Sequence, residues 1–196
     1  MRAVLASKNA HKLKEIAKIT ERFGMELVLQ SELGLDLDPE ENGTTFEENS
    51  MIKAKAVMEA SGMAAIADDS GLMVDALGGE PGIYSARYGG DACKNDKERY
   101  EYLLRKLENV PDEQRTAKFV SVITLLYPDG TSVIARGECP GIILREARGE
   151  NGFGYDPVFY VKEDGLTMAE MSAERKNEIS HRARALQALA KKLGGE

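Results

Sequence analysis

The chain has 196 residues, of which 42% are hydrophobic and 30% are charged, as is typical of one soluble domain over 1–196 with a substantial core. Its formal net charge of −7 argues against nonspecific nucleic-acid binding, which requires a basic surface. The apolar runs are far shorter than the ~20 residues that span a bilayer, and the N-terminus lacks the apolar stretch of a signal peptide, so we expect no membrane partner and no export.

The first half of the chain predicts alternating strands and helices. Residues 3–6 are a candidate strand, and the next helix carries an apolar stripe at helical spacing, formed by Leu13, Ile16, Ala17, Ile19 and Phe23. Residues 26–30 predict a second strand, and residues 46–61 predict a helix that ends before Gly62. Residues 64–67 predict a short third strand that leads into a polar run.

The second half predicts a helix and further strands. Residues 96–107 form an amphipathic pattern, and residues 118–127 and 131–138 predict two strands joined by the hairpin signal Pro128-Asp129-Gly130. Short strands are expected at 141–144 and 158–161, and the last helix is expected at 177–193, before Gly194 and Gly195. Helices mixed with an antiparallel hairpin indicate an α/β protein with a mixed sheet.

The first candidate for chemistry is the segment between the first strand and the first helix. Ser7, Asn9 and Lys12 would direct hydroxyl, amide and ammonium groups, together with free backbone N–H groups, at one phosphate. The alternative is that Ser7 and Asn9 only cap the helix. The segment lacks the paired glycines of a P-loop.

Acidic residues supply the second and third candidates. Glu40 and Glu41 precede the helix that carries Glu47, Glu48 and Lys53, and carboxylates of this kind can hold Mg²⁺, although they also occur on solvated helix faces. After the third strand comes Asp68-Asp69-Ser70-Gly71. Acids at a strand end suit a metal ligand or a general base beside a phosphate-binding turn, and a purely structural turn is the alternative.

Two further segments are candidates for nucleotide binding. The aromatic rings in Gly152-Phe153-Gly154-Tyr155-Asp156-Pro157 could stack on a base, or the segment could be an ordinary turn. Lys176 and Ser180-His181-Arg182 at the last helix could donate hydrogen bonds to a carbonyl or a phosphate, or lie on the surface.

Taken together, these motifs closely resemble the inosine/xanthosine triphosphate pyrophosphatase family, the HAM1-like proteins. The resemblance runs from residue 7 to residue 186 and rests on the order of Ser-x-Asn-x-x-Lys, Phe-x-Glu-Asn, Ala-Asp-Asp-Ser-Gly-Leu, Leu-Gly-Gly-x-Pro-Gly-Ile-Tyr-Ser-Ala-Arg-Tyr, Gly-Phe-Gly-Tyr-Asp-Pro and Ile-Ser-His-Arg. It departs from the family at Lys8, where many relatives have glycine.

The resemblance implies an elongated mixed sheet with flanking helices, two lobes with a nucleotide cleft between them, and a homodimer. It implies Mg²⁺-dependent hydrolysis of ITP, dITP and XTP to the monophosphate and pyrophosphate, which removes non-canonical purine nucleotides. It also implies site residues: Asp69 and Lys53 in catalysis; Glu40 and Asp69 at the metal; Ser7, Lys8, Asn9, Ala10, His11, Lys12, Ser70, Phe153, Gly154, Tyr155, Asp156, Lys176, His181 and Arg182 at the substrate.

Residue chemistry is consistent with this reaction, since phosphoryl transfer depends mostly on positioning and charge. We expect a water held by Asp69 and the metal to attack the α-phosphorus. A Maf-like pyrophosphatase acting on pyrimidine triphosphates and a nucleotide-binding module without turnover are the alternatives.

Cys93 and Cys139 form no CxxC pair, and we expect reduced thiols and a cytoplasmic protein.

Overall fold

The computed structural model describes residues 2–21 and 23–194. Its strands are Arg2–Leu5 (β1), Glu26–Leu29 (β2), Ala65–Val74 (β3), Thr116–Leu126 (β4), Ser132–Ile143 (β5), Phe159–Val161 (β6) and Leu166–Thr167 (β7). Its α-helices are Ala10–Glu21 (α1), Phe46–Ser61 (α2), Asp96–Lys106 (α3), Ala173–Ile179 (α4) and His181–Lys192 (α5). No helix in these two ranges is long and apolar enough to cross a membrane.

The strands form one mixed sheet. In the described part of the chain it has seven strands, in the order β2-β1-β3-β4-β5-β6-β7. β1 pairs in parallel with both β2 and β3, whereas β6 pairs antiparallel with β5 and with β7. The predicted α/β class with a mixed sheet and flanking helices is therefore confirmed.

By its internal contacts, the chain divides into two compact units. The first unit contains the residues up to Asp69, Ser121–Gly137, and the residues from His181 onward; the second contains Ser70–Val120 and Glu138–Ser180. Each has its own apolar core. In the first, β1 and β3 pack with α1 and α5 around residues such as Leu5, Ile16, Ile66 and Leu186. In the second, the core includes Leu72, Leu103, Phe119 and Phe159.

Helix α2 shows how local sequence fixes an element's ends. The Thr45 hydroxyl accepts a hydrogen bond from the Glu48 N–H at 3.1 Å, and the Glu48 carboxylate accepts one from the Thr44 N–H. The first of these contacts satisfies an N–H group that the first helical turn leaves unpaired, and the second fixes the segment that enters the helix. Gly62 ends the helix with a φ of 67°, which favours glycine. The predicted bounds of this helix are confirmed.

The prediction that the third strand ends before Asp68-Asp69-Ser70-Gly71 is wrong, and so is the alternative that these residues form a structural turn. These residues lie inside β3, which continues to Val74. Aspartate is depleted in strands, and burial of a carboxylate is costly unless other groups pair with it. Here cations from other elements contact both carboxylates, a contribution that local sequence does not reveal.

Three other expectations need correction. Residues 131–138 and 141–144 were expected as separate strands, but β5 runs continuously through Pro140, and its last residues pair with β6. The helix expected at 177–193 is two helices, since Ser180 is extended with a ψ of 158°; Gly195 lies outside the described residues. In the predicted stripe of α1, Ala17 and Phe23 are exposed, and Phe23 follows the helix end.

Candidate active site

Two adjacent acids of β3 form the centre of the candidate site in the first unit. Asp68 and Asp69 are 2% and 5% exposed. Successive side chains of a strand point to opposite faces of the sheet, so the two carboxylates have different surroundings. The neighbouring strand β1 pairs Leu5 with Ile66, and the Ala6 N–H donates to the Ile66 carbonyl at 2.9 Å. The segment that follows β1 therefore begins beside these acids.

Asp68 is held by donors from three other elements. Lys12 Nζ lies 2.8 Å from Asp68 Oδ2, Arg182 Nη2 donates to the same oxygen at 3.2 Å, and Ser121 Oγ donates to Oδ1 at 2.6 Å. Arg182 also donates to the carboxylate of Glu15. Burial alone would raise the pKa of Asp68, but the charges of Arg182 and Lys12 outweigh it and hold the pKa well below its usual range. Asp68 is thus a permanent anion that positions cations.

The pKa of Asp69 is shifted in the opposite direction to that of Asp68. Lys53 Nζ lies 2.8 Å from its Oδ1, while its buried Oδ2 has no hydrogen-bond partner among the described residues. Burial raises the pKa of Asp69 to about 6, although the charge of Lys53 opposes the shift. A carboxylate with a pKa near neutrality and one unoccupied oxygen is suited to accept a proton or to bind a cation.

Lys53 connects Asp69 to the acidic segment before α2. Its Nζ also lies 3.3 Å from Glu41 Oε1. Burial acts to lower the pKa of Lys53, but the charges of Asp69 and Glu41 outweigh it and raise the pKa. Lys53 is therefore a fixed positive charge between two carboxylates.

Among the candidate acidic ligands, Glu41 is the one that reaches Lys53. Glu40 is exposed, so the predicted metal role of Glu40 stays a prediction, and Glu41 lies in a more suitable place. Glu47 pairs with Arg136 at 2.9 Å, and Glu48 caps α2. These two carboxylates have structural partners.

The groups present fit a magnesium ion. Within residues 2–21 and 23–194, no three His, Cys, Asp or Glu side chains form a closed metal cluster. Mg²⁺ does not require one, since it commonly binds one or two carboxylates together with waters and substrate phosphates. Asp69 Oδ2, which no described residue contacts by a hydrogen bond, and the partly buried carboxylate of Glu41 are oxygen ligands of this kind.

The segment between β1 and α1 caps the helix, and its contact with a phosphate stays a prediction. Asn9 Oδ1 accepts hydrogen bonds from the N–H groups of His11 and Lys12 at 3.0 and 3.2 Å, and Ser7 Oγ accepts one from the Asn9 N–H. Asn9 therefore caps α1. Lys12 points at Asp68, whereas Ala10 and His11 are exposed.

The second unit contains a separate polar cluster around Asp156. Lys176 Nζ lies 2.6 Å from Asp156 Oδ2 and 4.8 Å from the centre of the Phe153 ring. The Phe153 N–H donates to the same oxygen at 3.0 Å. A Cβ on Gly152 would lie 2.0 Å from that oxygen, so the close approach requires glycine.

The remaining predicted residues of the second unit are held by hydrogen bonds or lie in a strand. The Gly154 N–H donates to Asp96 Oδ2 at 2.8 Å, and the Tyr155 hydroxyl donates to the Ser85 carbonyl at 2.7 Å. Burial raises the pKa of Tyr155, so its hydroxyl stays protonated. Ser70 lies in β3 and is partly buried.

His181 and Arg182 open helix α5 in the first unit and are 6% and 1% exposed. Through its contacts with Asp68 and Glu15, Arg182 positions these two carboxylates. A direct contact of Arg182 or His181 with a nucleotide stays a prediction.

A model of the Ham1 family matches residues 3–192 of the chain. The chain belongs to the Ham1 family. A dITP/XTP pyrophosphatase from Haemophilus influenzae is 51% identical to this Ham1-family chain over 97% of both proteins, and one from Thermus thermophilus is 49% identical over 96% of this chain and 90% of its own. The solved Ham1 protein of Staphylococcus aureus has a TM-score of 0.87 and 45% identity, covering 99% of this chain and 98% of its own.

Three residues of this Ham1 site were not predicted in these positions. Glu15 follows Lys12 by three residues in α1, so helical spacing could have suggested a shared face. Glu41 was considered as an alternative to Glu40, and sequence alone could not choose between neighbours. Ser121 lies in β4, 53 positions from Asp68, and no local signal connects them.

Proposed function

We propose that this Ham1-family chain hydrolyses dITP, ITP and XTP to the monophosphate and pyrophosphate. Relatives named dITP/XTP pyrophosphatases share about half of its residues over nearly the whole of both chains, which favours a purine triphosphate over the pyrimidine substrate of a Maf-like enzyme. The observation that carries the proposal is Asp69, a buried carboxylate with a raised pKa and one unpartnered oxygen, held by Lys53.

In this proposal, Asp69 is the general base. With a pKa of about 6, it is largely ionised at pH 7, yet remains basic enough to accept a proton from water attacking the α-phosphorus. Lys53 orients Asp69 through the contact at Oδ1, so that Oδ2 is the oxygen available to the water.

Positive charge is the second requirement, because the chain carries a net charge of −7 and its proposed substrate is a polyanion. Lys12, held by Asp68, and Lys53 present ammonium groups beside the acids. A divalent cation, which we propose to be Mg²⁺ bound by Asp69 with Glu41 or Glu40, would supply further charge to the pyrophosphate leaving group.

The second-unit cluster of Phe153, Asp156 and Lys176 is proposed to contact the nucleotide base. An aromatic ring offers a stacking surface, and the Lys176 ammonium group can donate to a keto oxygen. We further propose a cytoplasmic homodimer. Both cysteines are buried free thiols, as expected in a reducing compartment.

The test is a panel of dITP, XTP, ITP, ATP, GTP and pyrimidine triphosphates with Mg²⁺, in which pyrophosphate and orthophosphate are measured separately. We expect pyrophosphate only, with turnover highest for the non-canonical purines.

In ¹⁸O-labelled water the label should enter the monophosphate, and label in pyrophosphate would mean attack at the β-phosphorus. Binding without turnover would favour a nucleotide-binding module. Glu59→Gln, a solvent-exposed change in α2, is the control variant for Asp69→Asn.

A further inference from the structure

Lys8 lies in the segment that connects β1 to α1. The Ala6 N–H still donates to β3, the strand that carries Asp68 and Asp69. Lys8 lies two residues after this contact. Four residues further on, Lys12 reaches Asp68. Lys8 therefore stands at the edge of the proposed phosphate site.

The partner of Lys8 is an acid from a different segment. Lys8 Nζ lies 2.8 Å from Asp36 Oδ1, and the two side chains are 42% and 93% exposed. Ion pairs as exposed as this are weak and are screened by salt. Asp36 lies in the acidic segment before α2, which also carries Glu41, the partner of Lys53.

The other lysines of the site are held differently. Lys12 and Lys53 have side chains 17% and 14% exposed, and each pairs with a buried acid. These contacts are fixed by the fold. Lys8, in contrast, pairs with a solvated carboxylate, and water or another anion can replace that partner at little cost.

We propose that Asp36 competes with the substrate for Lys8, so that Lys8 leaves Asp36 for a phosphate group when a triphosphate binds. The terminal phosphate of a triphosphate carries more charge than a carboxylate and offers three non-bridging acceptor oxygens, which favours the exchange. Asp36 thereby weakens the binding of triphosphates. This inference rests on the proposed function, because it places the phosphates next to Lys12 and Lys53.

The first test compares three variants in the hydrolysis of dITP. Asp36→Asn frees Lys8 and should lower the KM by about two- to five-fold, while Lys8→Gln should raise it. Asp38→Asn is the matched control: its charge also acts on Lys8, but the ion pair is formed by Asp36, so Asp38→Asn should lower the KM less than Asp36→Asn does. In a Lys8→Gln background, Asp36→Asn should no longer lower the KM.

The second test does not depend on turnover. The Kd of inorganic tripolyphosphate is measured by calorimetry for the same variants at low and high ionic strength. Asp36→Asn should bind more tightly than wild type by the same factor, and the difference should shrink at high salt. Equal effects of Asp36→Asn and Asp38→Asn, or an effect that persists without Lys8, would overturn the inference. A wild-type chain that cleaves no triphosphate would refute the proposed function, and the tripolyphosphate series would still decide the inference.

Discussion

Asp69→Asn should make the protein more stable at pH 7 while it removes activity. The substitution keeps the size of the side chain and eliminates its charge. Asp69 is 5% exposed, and its Oδ2 has no partner among the described residues, so its ionised form is poorly solvated. The asparagine resembles the protonated carboxyl group, which the buried site accommodates better.

The magnitude follows from the pKa. Burial raises the pKa of Asp69 from 3.8 to about 6. At pH 7, where Asp69 is ionised, this shift lowers the free energy of unfolding by about 3 kcal/mol. Because the pKa is higher in the folded protein, the folded state binds more protons between pH ~4 and ~6. The contribution of this group to stability is therefore fully present below pH ~4 and is lost as the pH rises through ~6.

The assay is urea denaturation of wild type, Asp69→Asn and the surface control Glu59→Gln, without divalent cations, from pH 4 to 8. The variant should gain up to about 3 kcal/mol over wild type at pH 7, and the gain should disappear toward pH 4. In parallel, turnover with Mg²⁺ should fall by ~10²–10⁴-fold. An Asp69→Asn protein that is less stable than wild type at pH 7 would show that the ionised carboxylate stabilises the fold, and the reasoning above would be wrong.

Three further predictions concern the same cluster. Asp68→Asn should destabilise the protein by about 3 kcal/mol in the same denaturation assay, because it removes the buried carboxylate that pairs with Lys12 and that shares Arg182 with Glu15; stability equal to wild type would contradict this role. The positive charge of Lys53 lowers the pKa of Asp69, against the effect of burial. Lys53→Met should therefore raise this pKa and move the acidic limb of the pH–rate profile to higher pH. An unmoved limb would argue against Asp69 as the base. Mg²⁺ should raise the melting temperature of wild type but not that of Asp69→Asn, and an equal rise would place the ion elsewhere.

Much of the fold was predictable because local signals decide it. The bounds of α2 follow from Thr45 at one end and Gly62 at the other, and both act within a few residues of the helix. Family membership was likewise readable, since it depends on short motifs in a fixed order. The sequence also predicted Lys12, Lys53 and Asp69 as site residues, and in the fold Lys12 contacts Asp68 and Lys53 contacts Asp69.

Only the tertiary structure decided how the two adjacent acids differ. In the sequence, Asp68 and Asp69 are the same residue type in one polar run, and both were expected to follow the strand rather than to lie within it. In the fold, Asp68 receives Lys12, Ser121 and Arg182, and its pKa falls, whereas Asp69 is buried with one lysine, and its pKa rises. A pKa depends on burial and on the charges within a few ångströms, and here those charges come from segments up to 114 positions away.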